Sequence, residues 1–415
     1  MVNLYLFKSA KKLHILSALL IKIPKRALRT LHSRSPALPI IPSLVTQPTK
    51  CNFPVLDLVQ AAEHDAPPGS ITRDVNYYKD SRECGMCVFR VENTLFKVHK
   101  CYIVREPCAF EDMFSFPYVG ERVEGQCDEA AIPLSDTAEQ FRDLLWALYA
   151  SPAQLLALRN EPPAVQRLLN IALLANKYCI ASYEAWSLDC LTHLAQSPST
   201  RSFLRSESSK ICSQVLEISA LCGRQALIDV STRHLINRIL WSDFDRQPIY
   251  RVAKSWGLTE LQSVIFYRDL VELARPGAAQ SNAKESEPAF LANISDERQR
   301  SHLNSAYRSL VALWERVRRT PPAFLFPSDE CGCPSHANCV ETWGRLWSNA
   351  AASPQTLQVE SSNVLGRLKE MMIQLHKMVM EENDVMCMDC SMAALESITS
   401  TKDGIILGLS KYFKL

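Results

Sequence analysis

The sequence has 415 residues, of which 47% are hydrophobic and 22% are charged, and its formal net charge is +2. A chain of this length predicts two or three domains, and so small a net charge gives the chain as a whole no strong electrostatic signature for binding nucleic acid. Only twelve glycines occur, which favours helices over an enzyme built on Gly-rich phosphate loops.

The cysteine content bears on the compartment in which the protein folds. Fifteen cysteines, an odd number, are scattered along the chain, and no secretory signal stands at its start. Because disulfides persist in oxidising compartments, this pattern predicts an intracellular protein, cytoplasmic or nuclear, with reduced or metal-bound thiols. The longest apolar runs, such as Ile15–Ile21 and Gly404–Leu409, are too short to cross a bilayer, so we expect no membrane span.

Residues 1–50 differ from the rest of the chain. Nine lysines and arginines precede the first acidic residue, Asp57, with leucine and isoleucine interleaved among them. A basic, acid-free, amphipathic start resembles a mitochondrial presequence, here residues 1–35. The alternatives are a disordered basic arm and a wrongly extended gene model. We expect residues 1–73 to be a disordered arm and linker, since Pro54–Arg73 has few residues that could pack.

The stretch 87–116 predicts a strand pair and two short helices. Apolar and polar residues alternate in Cys87–Val91 and Thr94–Val98, with the period of a half-buried strand. Glu92-Asn93 lies between the runs, and asparagine tolerates the left-handed backbone of a tight turn. The second helix has one apolar side, formed by Phe110, Met113 and Phe114.

A third strand and two amphipathic helices come next. The strand is Ala130–Leu134, after which Asp136 can cap a helix, with Glu139 reaching back to it. The two helices present apolar faces at helical spacing: Phe141, Leu144, Leu145 and Leu148, then Val165, Leu168, Leu169 and Ala172. We expect one buried cluster that includes Phe96, Phe110, Met113, Phe114, Leu144, Leu145 and Leu169.

These features together resemble a BTB/POZ domain. The matching pieces are the hairpin, the sequence FKVHK at 96–100 and the sequence AFEDMF at 109–114. The likeness is closest to the BTB proteins abundant in mushroom-forming fungi, which similarly carry a Leu-Leu-Trp-Ala-Leu-Tyr helix, here 144–149. Those proteins also carry a preceding Tyr-Tyr-x-Asp segment, here Tyr77, Tyr78 and Asp80. The resemblance covers residues 74–191.

The resemblance implies a non-enzymatic interaction protein. BTB domains commonly form homodimers, and Val75, Tyr77 and Tyr78 supply apolar surface for which a monomer has little use. Many members of the family bind a cullin scaffold and present substrates to a ubiquitin ligase, and others regulate transcription. We therefore expect a dimeric adaptor with other proteins as partners and no nucleic acid, and a transcriptional regulator is the alternative.

The predicted fold is α/β and mostly helical. A BTB-like domain over 74–197, with a hairpin and third strand packed by helices, precedes an all-helical extension over 198–274. Residues 275–297 are polar and predict a linker, and 298–415 predict a helical C-terminal domain. The extension has four candidate helices, Lys210–Ala220, Arg224–Leu240, Gln247–Trp256 and Leu258–Leu273.

Signatures of catalysis are missing from the sequence. It has no G-x-S-x-G, Walker-type, H-E-x-x-H or G-x-G-x-x-G motif. His99 lies in the FKVHK motif, where the resemblance implies a structural role at a helix start. A metal-dependent enzyme would need an open metal position beside an acid or base, for which Glu341 and Asp389 are the available carboxylates. We expect the protein not to be an enzyme.

One group of residues has the types and spacing of zinc ligands. Cys331, Cys333, His336 and Cys339 fall within nine residues, and Cys387-x-x-Cys390 follows about fifty residues later. The fungal BTB proteins similarly show Cys, His and Cys ahead of two tryptophans and a later Cys. We predict one structural zinc, held by Cys331, His336, Cys339 and Cys390, with Cys333 and Cys387 as substitutes. Ordinary buried cysteines are the alternative.

The two halves of this group can meet if the intervening chain folds back. The predicted helix 363–381 would be roughly 28 Å long at 1.5 Å per residue. A chain running antiparallel to it through Trp343 and Trp347 would bring Cys339 and Cys390 to the same end.

Overall fold

The computed structural model describes residues 71–79, 85–115, 124–159, 165–196, 202–275, 296–324, 336–381 and 386–413. These residues belong to one compact unit, Pro68–Leu415, and they confirm a mostly helical α/β structure. The predicted arm up to residue 70, most of the predicted linker, Cys331 and Cys333 lie outside the described residues. The domain boundaries proposed within 74–415 stay predictions.

A four-stranded sheet occupies the N-terminal end of the described chain, in the order β1-β3-β2-β4. Strands β2 and β3 form an antiparallel hairpin, while β1 runs parallel to β3 and β4 parallel to β2. The strands are β1 Thr72–Tyr78, β2 Met86–Val91, β3 Thr94–His99 and β4 Ile132–Leu134. The hairpin and third strand are therefore confirmed. Strand β1 was not predicted, and it begins within the segment expected to be a linker.

The hairpin turn differs in detail from the prediction. Its left-handed residue is Glu92, with φ 53°, and not the neighbouring asparagine. The Glu92 carboxylate accepts a hydrogen bond of 3.0 Å from the backbone N–H of Ala138. This contact satisfies one of the unpaired donors of the first turn of the helix that starts there. The turn therefore also positions that helix against the sheet.

The cap of the same helix is one residue later than predicted. Thr137 is the N-cap and forms a capping box with Gln140, in place of Asp136 and Glu139. Asp136 is almost fully buried and instead accepts hydrogen bonds from Lys177, at 2.5 Å, and from the hydroxyl of Tyr178. A buried carboxylate needs such partners, so Asp136 ties two helices together and leaves the cap to threonine.

The helices follow in three groups, and those of the predicted extension lie within one residue of prediction at each end. Around the sheet are α1 Lys100–Ile103, α2 Ala109–Ser115, α3 Ala138–Tyr149, α4 Pro152–Leu158, α5 Val165–Lys177 and α6 Ala181–Gln196. The extension contains α7 Ser209–Leu221, α8 Gln225–Trp241, α9 Gln247–Ser255 and α10 Thr259–Leu273. The C-terminal group is α11 Glu297–Arg319, α12 His336–Ala351, α13 Pro354–Gln358, α14 Val364–Glu381, α15 Met388–Gly408 and α16 Ser410–Phe413.

Two hydrophobic clusters hold the described residues together. One packs the sheet against α2, α3 and the end of α5, and the other runs through the helices from Leu158 to Leu409. The predicted core residues in the sheet cluster are Phe96, Phe110, Leu144 and Leu145, with Met113 and Phe114 partly buried against it. Leu169 is buried but belongs to the helical cluster, so the prediction of a single cluster was wrong. The reason is that α5 contributes Leu168 and Leu169 to one core and Leu174 and Ala175 to the other.

Candidate metal centre and exposed edge strand

Three cysteine sulfurs meet where α12 and α15 begin. The Sγ atoms of Cys339, Cys387 and Cys390 all lie within 4.8 Å of one another. A tetrahedral zinc ion about 2.3 Å from each sulfur would hold the sulfurs about 3.8 Å apart. The three thiols are therefore close enough to bind one metal ion after small side-chain adjustments, and this cluster could hold a metal.

The pair Cys387 and Cys390 owes its geometry to the start of α15. Cys387 is the N-cap of this helix, and its Sγ accepts the backbone N–H of Cys390 at 3.3 Å. The first turn of a helix presents unpaired N–H donors and the positive end of the helix dipole. Both features stabilise negative charge on a sulfur, which is the form in which cysteine binds metal.

His336 approaches the cluster from the other helix. It is the first residue of α12, and Cys339 follows three positions later, so the two side chains lie on the same face of the first turn. The Nδ1 atom of His336 lies 3.3 Å from the Sγ atom of Cys390. The Phe324 ring meets the imidazole edge to face, with 5.5 Å between centroids.

The surroundings of the thiols are apolar. Cys339 is 6% exposed and Cys390 is fully buried, and both belong to the helical core, whereas Cys387 is half-buried. Trp343 and Trp347, one and two turns after Cys339, are buried and donate hydrogen bonds to the backbone carbonyls of Pro322 and Val317, at 3.0 and 3.1 Å. These bonds attach α12 to the end of α11 and the residues after it, which places Phe324 beside the cluster.

Four of the six predicted ligands are described, and the structure brings three of them, the cysteines, together, with His336 beside Cys390. The expected proximity of Cys339 and Cys390 is confirmed, because their sulfurs belong to the same cluster. Cys387, predicted as a substitute, is part of it, while Cys331 and Cys333 lie outside the described residues. Sequence reasoning did not identify Phe324 as a neighbour of the site, since no local pattern links it to residues twelve or more positions away.

His99 stands at a helix start, where the resemblance placed it. It ends β3 and is the N-cap of α1. Its backbone N–H donates to the hydroxyl of Tyr149 at 2.9 Å, and its Nδ1 lies 3.0 Å from the same oxygen. These contacts join the end of the hairpin to the end of α3.

Strand β1 lies at an edge of the sheet and is held there by polar contacts. Asp74, 6% exposed, pairs with Arg142 at 2.8 Å and accepts the backbone N–H groups of Asn76 and Tyr77 at 2.9 Å each. Among the described residues, β3 is the only strand that pairs with β1. Val75, next to the buried aspartate, is 96% exposed. Within the described residues the strand therefore presents an exposed apolar side chain and one edge without a pairing strand.

No match was found when the chain was compared with models of protein families, with curated proteins and with solved structures. In the part of the chain that the structure describes, no helix is both long enough and apolar enough to cross a membrane.

Proposed function

We propose that this chain is a non-enzymatic interaction protein that works as a homodimer, an adaptor of the BTB type. The observation that carries the proposal is the edge of β1 that has no pairing strand among the described residues, with Val75 96% exposed beside the buried Asp74. An exposed strand edge is a template for pairing with another chain, and Val75 lies on that strand. Pairing of two copies would cover both features.

The chemistry of the thiol cluster supports a role other than catalysis. The available carboxylates, Glu341 and Asp389, are both exposed. The imidazole of His336 lies against the sulfur of Cys390. A set of cysteine and histidine ligands that fills a tetrahedron leaves no position for a substrate or an activated water. The proposal therefore includes one structural zinc ion, which would tie α12 to α15 and supply folding free energy to this part of the chain.

The dimer is tested by light scattering of the full chain during gel filtration at micromolar concentration. The unmodified chain should elute as a dimer and Val75→Lys as a monomer with unchanged far-ultraviolet circular dichroism, because the side chain is exposed and its loss does not affect the core. Leu407→Lys is the matched control, since Leu407 is 67% exposed on α15, and it should remain dimeric. A monomeric unmodified chain would reject the dimer.

The adaptor part of the proposal is supported by the resemblance in residues 74–191. An affinity pull-down of the tagged chain from native extract, read by mass spectrometry, tests it. Recovery of a cullin with the unmodified chain supports a ubiquitin-ligase adaptor. Recovery of transcription factors without a cullin would reject that role and favour the transcriptional alternative.

A further inference from the structure

We infer that the metal site is a Cys3His zinc site formed by His336, Cys339, Cys387 and Cys390, with His336 binding through Nδ1. This inference rests on the proposed zinc ion and names its complete ligand set. It replaces Cys331, which the spacing alone had favoured, with Cys387.

The arrangement of the four residues along the chain fits a single tetrahedral ion. His336 and Cys339 are three positions apart in the first turn of α12, and Cys387 and Cys390 are three positions apart at the start of α15. Residues at this spacing lie side by side on a helix. Each helix therefore supplies one edge of the tetrahedron, and the two edges face each other where the sulfurs meet.

The position of the imidazole is close to that of a ligand. With zinc about 2.0–2.1 Å from nitrogen and about 2.3 Å from sulfur, tetrahedral geometry separates the two donors by about 3.6 Å. The observed distance from Nδ1 of His336 to Sγ of Cys390 is 3.3 Å. The imidazole is not within 4.8 Å of all three sulfurs, so the ring must also move toward the other sulfurs when the metal binds. Nδ1 is also the nitrogen that faces Cys390, and the Phe324 ring packs against the imidazole.

The negative charge of such a site would be compensated by its location at the N-terminal ends of two helices. Three thiolates and one neutral imidazole around Zn²⁺ leave a net charge of −1, which would be costly to bury without compensation. Both helices begin at the site, so two positive dipole ends lie around it. The N–H group of Cys390 already donates to the sulfur of Cys387. A fourth thiolate from Cys331 would add a further negative charge, which the neutral imidazole avoids.

X-ray absorption at the zinc edge of the purified full chain tests the ligand set. The expected spectrum has three sulfurs at about 2.3 Å and one nitrogen at about 2.0–2.1 Å. Four sulfurs in the unmodified chain would overturn the inference and leave the zinc ion in place. Absence of bound metal from protein purified without chelator would instead reject the zinc proposal itself, so the two failures are distinguishable.

Variants then assign the individual ligands. Cys331→Ser and Cys333→Ser should keep one zinc per chain and an unchanged spectrum, and they are the matched controls for Cys387→Ser. Cys387→Ser should lose its zinc at a lower chelator concentration than either control does. His336→Cys should retain zinc with four sulfurs, which separates a ligand from a residue that only packs. Loss of a sulfur from the spectrum of Cys331→Ser would assign that residue to the site and contradict the set.

Discussion

Tyr267→Phe is predicted to destabilise the protein by removing one oxygen that joins α10 to α14. Tyr267 is 2% exposed, and its hydroxyl donates to Oδ1 of Asn363 at 2.9 Å. The same hydroxyl accepts the backbone N–H of Leu365 at 3.0 Å. Leu365 lies in the first turn of α14, where N–H groups have no partner within the helix. Burial raises the pKa of Tyr267, which keeps the phenol protonated and able to donate.

The magnitude follows from what is left without a partner. Asn363 keeps its second hydrogen bond, from the N–H of Gly366 at 2.9 Å, so the carboxamide oxygen is not orphaned. The N–H of Leu365 loses its acceptor in a position that water does not reach, since Leu365 is 1% exposed. Leaving a buried donor unsatisfied costs about 1–3 kcal/mol. We expect a loss of that size in the free energy of unfolding.

Urea unfolding followed by tryptophan fluorescence measures this loss. The control is Tyr250→Phe, which removes a partly buried hydroxyl that has no hydrogen-bond partner among the described residues, and it should change stability by less than about 0.5 kcal/mol. If Tyr267→Phe were as mild as the control, the hydroxyl would not be the cap of α14, and the contact between the two helices would need another explanation.

Two further predictions concern the sheet. Gly125→Ala should lower the free energy of unfolding by more than about 1 kcal/mol, because Gly125 has φ +79° and a Cβ there would lie 2.6 Å from the sulfur of Cys87. Gly223→Ala, with a similar φ of +62° and nothing within 4 Å of its Cβ, is the control and should cost less in the same urea experiment. Burial of Asp128 would raise the pKa of its carboxyl, but the hydrogen bond from Tyr78 and an arginine partner lower it overall, below the ordinary value of 3.8. A depressed pKa contributes stability that is present above the ordinary value and lost as the pH falls through the folded value. Asp128→Asn should therefore destabilise the chain at pH 7, and the loss should shrink as the pH is lowered below 3.8. A loss that does not change with pH would contradict this.

Local sequence patterns predicted most of the helices but not the whole sheet. The four helices of the extension follow directly from apolar spacing and appear within one residue of their expected ends. Strand β1 was not predicted because its most buried residue is Asp74, a charged residue. The strand therefore lacks the alternation of apolar and polar residues by which strands are recognised. The partner that makes this burial tolerable, Arg142, lies 68 positions away. A contact between residues so far apart in the sequence cannot be predicted from a short stretch of sequence.

The metal centre was only partly predictable, because some of its contacts are local in sequence and others are not. The spacing of His336 to Cys339 and of Cys387 to Cys390 is local and marks two ligand pairs on helices. Their meeting depends on how α12, α14 and α15 pack, which the antiparallel arrangement of a long helix indicated only in outline. The N-cap position of Cys387 depends on where α15 begins, and helix starts are uncertain by a residue or two from sequence alone. This detail is what brings Cys387 into the cluster.

Native mass spectrometry of the purified full chain reports assembly and bound metal in a single spectrum. We expect a species of twice the chain mass of 46.8 kDa that carries one zinc ion per chain and that loses the zinc on treatment with acid. A species of single-chain mass without metal, from protein that is folded by circular dichroism, would contradict both the dimer and the zinc site.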